Sequence, residues 1–202
     1  MKGLELMVMT KGEHILQEQY GTTKKAAAFY NKQMFDHLNC MMKKFISEQS
    51  MMFISTADSN GSCDSSFRAG LPGFVRIIDE KTLIYPEYKG NGVMASLGNI
   101  IENPQIGLMF IDFFENCIGL HVNGKASIVE NSQLSSLNMP KHLWTDILEK
   151  GENKAERWVV IEVEETYVHC SKHIPKLKHD KKEIFWGTDD EEQKRADFFK
   201  GK

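Results

Sequence analysis

The sequence predicts a mainly β protein of the α+β class. Six or seven antiparallel strands in hairpin order close into a small barrel, with a helical segment at the N-terminus. Three observations carry that expectation. Short apolar runs separated by turn residues fill residues 51–130 and return at 158–168. A sustained three-and-four spacing of apolar residues is confined to the first 50 residues. Asn123-Gly124, in the middle of the longest strand, supplies the bulge or coil that a small barrel needs to close.

Taken in order, residues 1–12 carry little pattern, and Met7-Val8-Met9 reads as a tacked-down arm. Thr10 and Glu13 have capping-box spacing, so a helix is expected from Lys11 to Tyr20, ended by Gly21. A second helix is expected over Lys24–Gln49, where Ala27, Tyr30, Met34, Leu38, Met41 and Phe45 share one face. The first strand, Met51–Ala57, turns through Asp58-Ser59-Asn60-Gly61 into Cys63–Arg68. Strands follow at Phe74–Asp79 and Leu83–Pro86, then a helix from about Val93 to Glu102, which Asn103-Pro104 stops. Gln105–Asp112 is apolar almost throughout and is expected to be buried on both faces. Ile118–Glu130 is the long strand, a helical pair occupies Ser132–Leu137 and Lys141–Lys150, and Trp158–Val168 is the last strand. In the polar tail, Ile174, Leu177, Phe185, Trp186, Phe198 and Phe199 are candidate anchors.

Composition narrows the function. With 202 residues the chain suits one ordinary domain, able to bury roughly 70% of its unfolded surface. A net charge of −3 argues against a dedicated nucleic-acid binder. No apolar run reaches the roughly 18 residues of a membrane span, and no basic-then-apolar leader opens the chain, so a cytoplasmic protein is expected. The four cysteines form no CxxC pair and read as reduced structural thiols. No metal site is assigned: His169, Cys170 and His173 have ligand-like spacing but no further ligand beside them. No Ser-His-Asp or Cys-His order nominates a catalytic residue.

Two glycine-bearing segments stand out, Ser65–Arg76 and Tyr85–Gly92. Each joins a cation to small hydroxyl or amide side chains. Successive free N–H groups in such turns make an anion-binding concavity, and a helix starting just after Asn91 adds its N–H groups and positive dipole end. Arg68 and Lys89 then form a phosphate clamp, arginine as a fork and lysine as a point charge. The same residues also fit two ordinary loops with solvated cations.

Phe53–Gly61, Arg68–Arg76, Tyr85–Gly92, Asn99–Phe110 and Val122–Glu130, in this order and spacing, resemble the pyridoxamine 5′-phosphate oxidase-like proteins. The Tyr167–Ile174 and Gly12–Thr22 segments are similar to an uncharacterised subgroup of them. The resemblance implies a six- to seven-stranded antiparallel split β-barrel that binds FMN and dimerises, with flavin sites in grooves at the dimer interface. Three parts are expected: a helical segment (1–50) whose apolar stripe packs on the barrel, the FMN-binding barrel (51–170) and a tail (171–202). Cofactor contacts fall on Ser66, Arg68, Lys89, Asn91 and Ser96 for the phosphate. The backbone from Ala69 through Gly70 and Pro72 to Gly73 follows the isoalloxazine edge. The vitamin-making oxidases carry a C-terminal Arg-Leu-x-Pro-x-Arg segment that grips their substrate. Here Glu183–Asp190 has no arginine, so vitamin B6 is not the implied substrate. The expected function is an FMN-dependent oxidoreductase acting on a small substrate, without nucleic-acid or membrane partners. The alternative is a non-catalytic flavin- or heme-binding storage or sensor protein, and relatives of this fold also use FAD, a deazaflavin or heme.

Overall fold

The computed structural model describes residues 10–150, 154–180, 182–186, 188 and 190. The arm at Met7–Met9 and the anchors Phe198 and Phe199 lie outside the described residues.

Helix α1 (Lys11–Gln19) starts on the full capping box. The Glu13 N–H donates to Thr10 Oγ1 at 3.2 Å and the Thr10 N–H to Glu13 Oε2 at 2.9 Å. The single helix expected over Lys24–Gln49 is instead two. Helix α2 (Thr23–Gln33) ends, two residues form β1 (Met34–Phe35), and α3 (Cys40–Glu48) begins anew. Tertiary pairing outweighs the periodicity here, because Met34 and Phe35 pair with Tyr167 and Thr166. The buried Thr166 hydroxyl donates to the His37 carbonyl at 2.9 Å, which holds the break open. Asn39 then caps α3 by accepting from the Met42 N–H at 3.0 Å. The apolar stripe splits accordingly: Leu38 is buried within the break, while Met41 is 71% exposed.

The remaining strands are β2 (Met51–Ala57), β3 (Cys63–Ala69), β4 (Arg76–Ile77), β5 (Thr82–Glu87), β6 (Gln105–Asp112), β7 (Ile118–Glu130) and β8 (Arg157–His169). They form an eight-stranded antiparallel sheet in the order β3-β2-β6-β7-β8-β5-β4, with β1 also on β8. The sheet curls like an open barrel and leaves β3 as an edge strand. The strand expected over Phe74–Asp79 shrinks to β4, because Phe74 and Val75 are buried in the loop ahead of it. The bulge forms at Asn123-Gly124, but its extra residue is on β8. Asn123 faces Glu165 and Gly124 faces Val163, so Glu164 is left over. A Cβ on Gly124 would stand 2.0 Å from the Glu162 carbonyl oxygen, so only glycine fits.

The main core joins Met52, Ile54, Leu83, Tyr85, Leu108, Phe110, Val122 and Ile161 with Leu38 and Ile46. Strand β6 alternates: Ile106, Leu108 and Phe110 are buried, whereas Gly107, Met109 and Ile111 remain half-buried rather than covered. A second cluster (Ile84, Leu134, Met139, Ile147, Trp158) lies under α5 (Lys141–Glu149) and the 3-10 turn Asn131–Ser136, which replaces the first member of the expected helical pair. Helix α5 also pins the loop before β4. Buried Arg76 pairs with Asp146 through Nε at 2.7 Å and donates to the Gly73 carbonyl. Lys150 bonds Asp146 at 3.1 Å and the Pro72 carbonyl at 3.0 Å.

Candidate functional site

Strand β3, the loop after β5 and the first turn of α4 (Ala95–Glu102) enclose a cleft of about 710 Å³. The period of two puts Asp64, Ser66 and Arg68 of β3 on one side of the strand, and all three line the cleft. Lys89, Gly90, Asn91 and Gly92 form the opposite rim, and Ser96 lies at its base. The cleft thus brings together six of the nine residues the sequence nominated: Ser66, Arg68, Ala69, Lys89, Asn91 and Ser96. Gly70 and Pro72 line a neighbouring cavity of about 480 Å³, which shares Phe67, Ala69 and Trp186 with the cleft. Gly73 lines neither. Its N–H bonds the Gln49 carbonyl at 2.9 Å, and a Cβ there would press on Ser47 O at 2.9 Å.

The chain reaches this geometry locally. Asn91 Oδ1 accepts from the Val93 N–H at 3.0 Å, a turn of the kind asparagine makes with its own backbone. Gly92 and Met94 both take positive φ, at 80° and 56°, which swings the chain into α4. The helix begins at Ala95, later than the sequence suggests, and Met94 gives it no side-chain cap. Its first-turn N–H groups therefore open onto the cleft with the positive end of the helix dipole.

Sequence reasoning missed the acids. Arg68 Nε donates to Glu87 Oε1 at 2.7 Å and Nη1 to the Phe67 carbonyl at 3.0 Å. That fixes the guanidinium and leaves Nη2 without a hydrogen bond among the described residues. Ser96 Oγ lies 3.1 Å from both Asp64 Oδ2 and Ser66 Oγ, and Ser66 Oγ is 3.2 Å from Asp64 Oδ2. Two serines and an acid thus form one polar knot at the base. Asp64 was findable, since it sits two residues before Ser66 on the same strand face. Glu87 occupies the equivalent place at the end of β5, two residues after Tyr85. Tyr85 itself is fully buried beneath them. Burial first, and the neighbouring Glu87 next, hold its phenol well above its usual pKa of 10.0, so it stays a neutral hydroxyl. That hydroxyl makes no hydrogen bond of ordinary geometry among the described residues.

Away from the cleft, His169 does not pair with His173. Its Nδ1 lies 3.0 Å from His121 Nε2, and His121 stacks on Tyr167 at 4.5 Å. Burial first, then His169, hold the half-buried His121 below the ordinary histidine pKa. Among the described residues no group of three or more His, Cys, Asp or Glu is placed to hold a metal ion, and no helix is long and apolar enough to cross a membrane.

A family model described as pyridoxamine 5′-phosphate oxidase matches residues 40–170. No curated protein matches the chain. Among solved structures, Group A Streptococcus HupZ is 22% identical, with 64% of this chain and 92% of that one covered and a TM-score of 0.47. A putative pyridoxamine 5′-phosphate oxidase from Lactobacillus delbrueckii is 14% identical over 67% of this chain and 98% of its own, at TM-score 0.47. HutZ, the heme storage protein of Vibrio cholerae, is 14% identical over 65% and 94%, at TM-score 0.43. The family match spans α3 and all of β2 to β8, including both segments that build the cleft, and takes in more than half of the sequence. The chain therefore belongs to the pyridoxamine 5′-phosphate oxidase family.

Proposed function

We propose that the protein is an FMN-binding oxidoreductase acting on a small organic substrate, with the flavin phosphate seated in the cleft at the first turn of α4. The observation that carries this reading is the convergence of Arg68, Lys89, Ser66 and Ser96 with the uncapped helix start in one cleft. Arg68, oriented by Glu87, offers Nη2 to an anion. The first-turn N–H groups of α4 offer donors and a favourable dipole. Gly90 and Gly92 leave the rim open, with no atom within 4 Å of where a Cβ would stand, so a phosphate can approach the backbone. Asp64 then serves as the acceptor for a hydroxyl of the chain that links phosphate to ring. Bound FMN supplies the two-electron redox chemistry, while the protein binds, orients and shields it. The reading needs no acid–base pair on the protein.

A homodimer fits the outer face of the sheet. Phe53 and Phe67 are 37% and 54% exposed and meet edge to face at 5.6 Å. Half-buried Met109 continues the row across β6, opposite Phe53 in register. Light scattering of a homodimer at micromolar concentration supports this packing, and a monomer contradicts it. The visible spectrum of freshly purified protein, followed by titration with FMN, tests the function. A flavin band pair, or saturable FMN binding, is expected. A Soret band supports the heme-binding alternative instead, and a featureless spectrum with no FMN binding overturns the reading.

A further inference from the structure

The chain holds three Asn-Gly pairs, Asn60-Gly61, Asn91-Gly92 and Asn123-Gly124. Asparagine before glycine is chemically labile, because no Cβ hinders attack of the next backbone nitrogen on the side-chain amide. The structure sorts the three. Asn123 lies within β7, where Gly124 faces Val163, and its Nδ2 donates to Glu165 Oε1 at 2.9 Å. Ring closure there would break the sheet. Asn60 is exposed in the turn between β2 and β3, but the Gly61 N–H donates to the Asp58 carbonyl at 3.1 Å. That nitrogen must give up a hydrogen bond before it can attack.

Asn91 is poised differently. It is exposed at the rim of the cleft, and the Gly92 N–H makes no hydrogen bond among the described residues. The Val93 N–H donates to Asn91 Oδ1 at 3.0 Å, which folds the side chain back along the Gly92 peptide. The same donor sits where negative charge develops on Oδ1 when Cγ is attacked, as in an oxyanion hole. Gly92 has a φ of 80° and no atom within 4 Å of where a Cβ would stand, so no packing resists the rearrangement.

We propose that Asn91 is a self-modifying site, which converts to an acidic residue in the unliganded protein and is protected when a phosphate fills the cleft. The Gly92 nitrogen attacks Asn91 Cγ and forms the N–Cγ bond of a cyclic imide. Its proton passes to Nδ2, the Cγ–Nδ2 bond breaks, and ammonia leaves. Water then opens the imide, its proton returning to the Gly92 nitrogen. Opening at Cγ gives an aspartyl residue, and opening at the main-chain carbonyl gives an isoaspartyl one. Nothing is oxidised or reduced. Either product sets a new carboxylate on the rim beside Lys89, in the cleft that Arg68 also lines. A phosphate held at the rim occupies the Gly92 N–H and stops the reaction. This protection and the loss of binding rest on the flavin reading above, whereas the modification rests on the loop alone.

The test incubates the full chain in mildly alkaline buffer, alone, with FMN and with riboflavin, and maps each digest by mass spectrometry. Asn91 should convert ahead of Asn60, and Asn123 should stay intact. FMN should slow conversion at Asn91 several-fold and leave Asn60 unaffected, while riboflavin, lacking the phosphate, protects neither. Freshly made Asn91→Asp should bind FMN about five- to thirtyfold more weakly than wild type, the effect of one added charge about 4 Å from a phosphate in water. Riboflavin should bind that variant and wild type alike. Asn91→Gln closes the larger ring far more slowly, so it should keep its own starting FMN affinity through the incubation while wild type declines. Conversion at Asn60 first, or none at Asn91, overturns the site. FMN that binds yet leaves the rate at Asn91 unchanged overturns the protection. A wild type that binds neither flavin overturns the function proposed above and the protection with it, while the digest still decides the modification.

Discussion

Between Gly70 and Arg76 the backbone is held from three sides. The Gly73 N–H bonds the end of α3 through Gln49, Lys150 of α5 bonds the Pro72 carbonyl, and Arg76 beneath bonds the Gly73 carbonyl and Asp146. Between Tyr88 and Met94 the chain instead stands at the rim of the cleft, with open space at Gly90 and Gly92. Both segments join glycines to a cation, and Gly73 and Gly92 have nearly the same φ, 77° and 80°. The surroundings separate them. In the first segment the glycine lets the chain touch protein, and in the second it leaves room for something else. A glycine with a cation nearby is therefore a signal of close approach, and only packing says what approaches.

Four substitutions sharpen the comparison, in falling order of effect. Asp146→Ala leaves the buried Arg76 guanidinium without its carboxylate. Breaking a buried pair this way costs about 3 kcal/mol here, the low end of the usual range, because Asp146 itself is a third exposed. A clear drop in the urea midpoint is expected, and an unchanged midpoint would mean the first loop is not held from α5. Gly73→Ala adds the left-handed backbone penalty of about 1–2 kcal/mol to a 2.9 Å approach to a backbone oxygen that cannot yield. Gly92→Ala carries the backbone part alone, so it should cost less. Gly90→Ala meets open space and should shift stability by no more than about 0.5 kcal/mol. Equal losses at Gly73 and Gly92 would erase the distinction between the loops.

A smaller effect comes from outside both loops. His121 sits between His169 and Tyr167, with its pKa held below the usual 6.5 first by burial and then by His169. The unfolded chain takes up that proton more readily than the folded one, so stability should be full above about pH 6.5 and decline on acidification. Denaturation midpoints at pH 7.5 and 5.5 should differ less in His121→Gln than in wild type. An identical pH slope in the two proteins would show that His121 does not carry the effect.

Most strand positions and the pairings β2–β3, β4–β5, β6–β7 and β7–β8 were legible because apolar runs and turn residues act locally: Met51–Ala57, Gln105–Asp112 and Ile118–Glu130 are found where the sequence places them. Strands β3 and β4, expected to follow in hairpin order, instead end at opposite edges of the sheet, because β2 pairs with β6 and β5 with β8. The break at Met34–Phe35 was not legible either, since it depends on Thr166 and Tyr167, more than 130 residues away in the chain, although Asn39 was a visible cap. Of the cleft, the cations and hydroxyls were legible as residue types near glycines. Glu87 and Asp64 were not weighed, because an acid beside an expected phosphate runs against simple charge matching. Their roles emerge only from the 2.7 Å pairing with Arg68 and the knot with Ser66 and Ser96. Trp186 was legible as an anchor and illegible as a wall shared by two cavities, since a tail's path is set by where it docks.

The most direct test of the proposal that the cleft holds a phosphate is a fluorescence titration with FMN and riboflavin of the variant Arg68→Met combined with Glu87→Gln. The pair is changed together so that no buried carboxylate is stranded beside the ligand. Losing a charge-assisted hydrogen bond to the phosphate costs about 1.5–3 kcal/mol, or roughly tenfold to a hundredfold in FMN affinity. Riboflavin, with no phosphate, should bind the variant and the wild type alike. Equal losses for both ligands, or no loss for either, would contradict the account and return Arg68 to a structural ion pair at the edge of an ordinary loop.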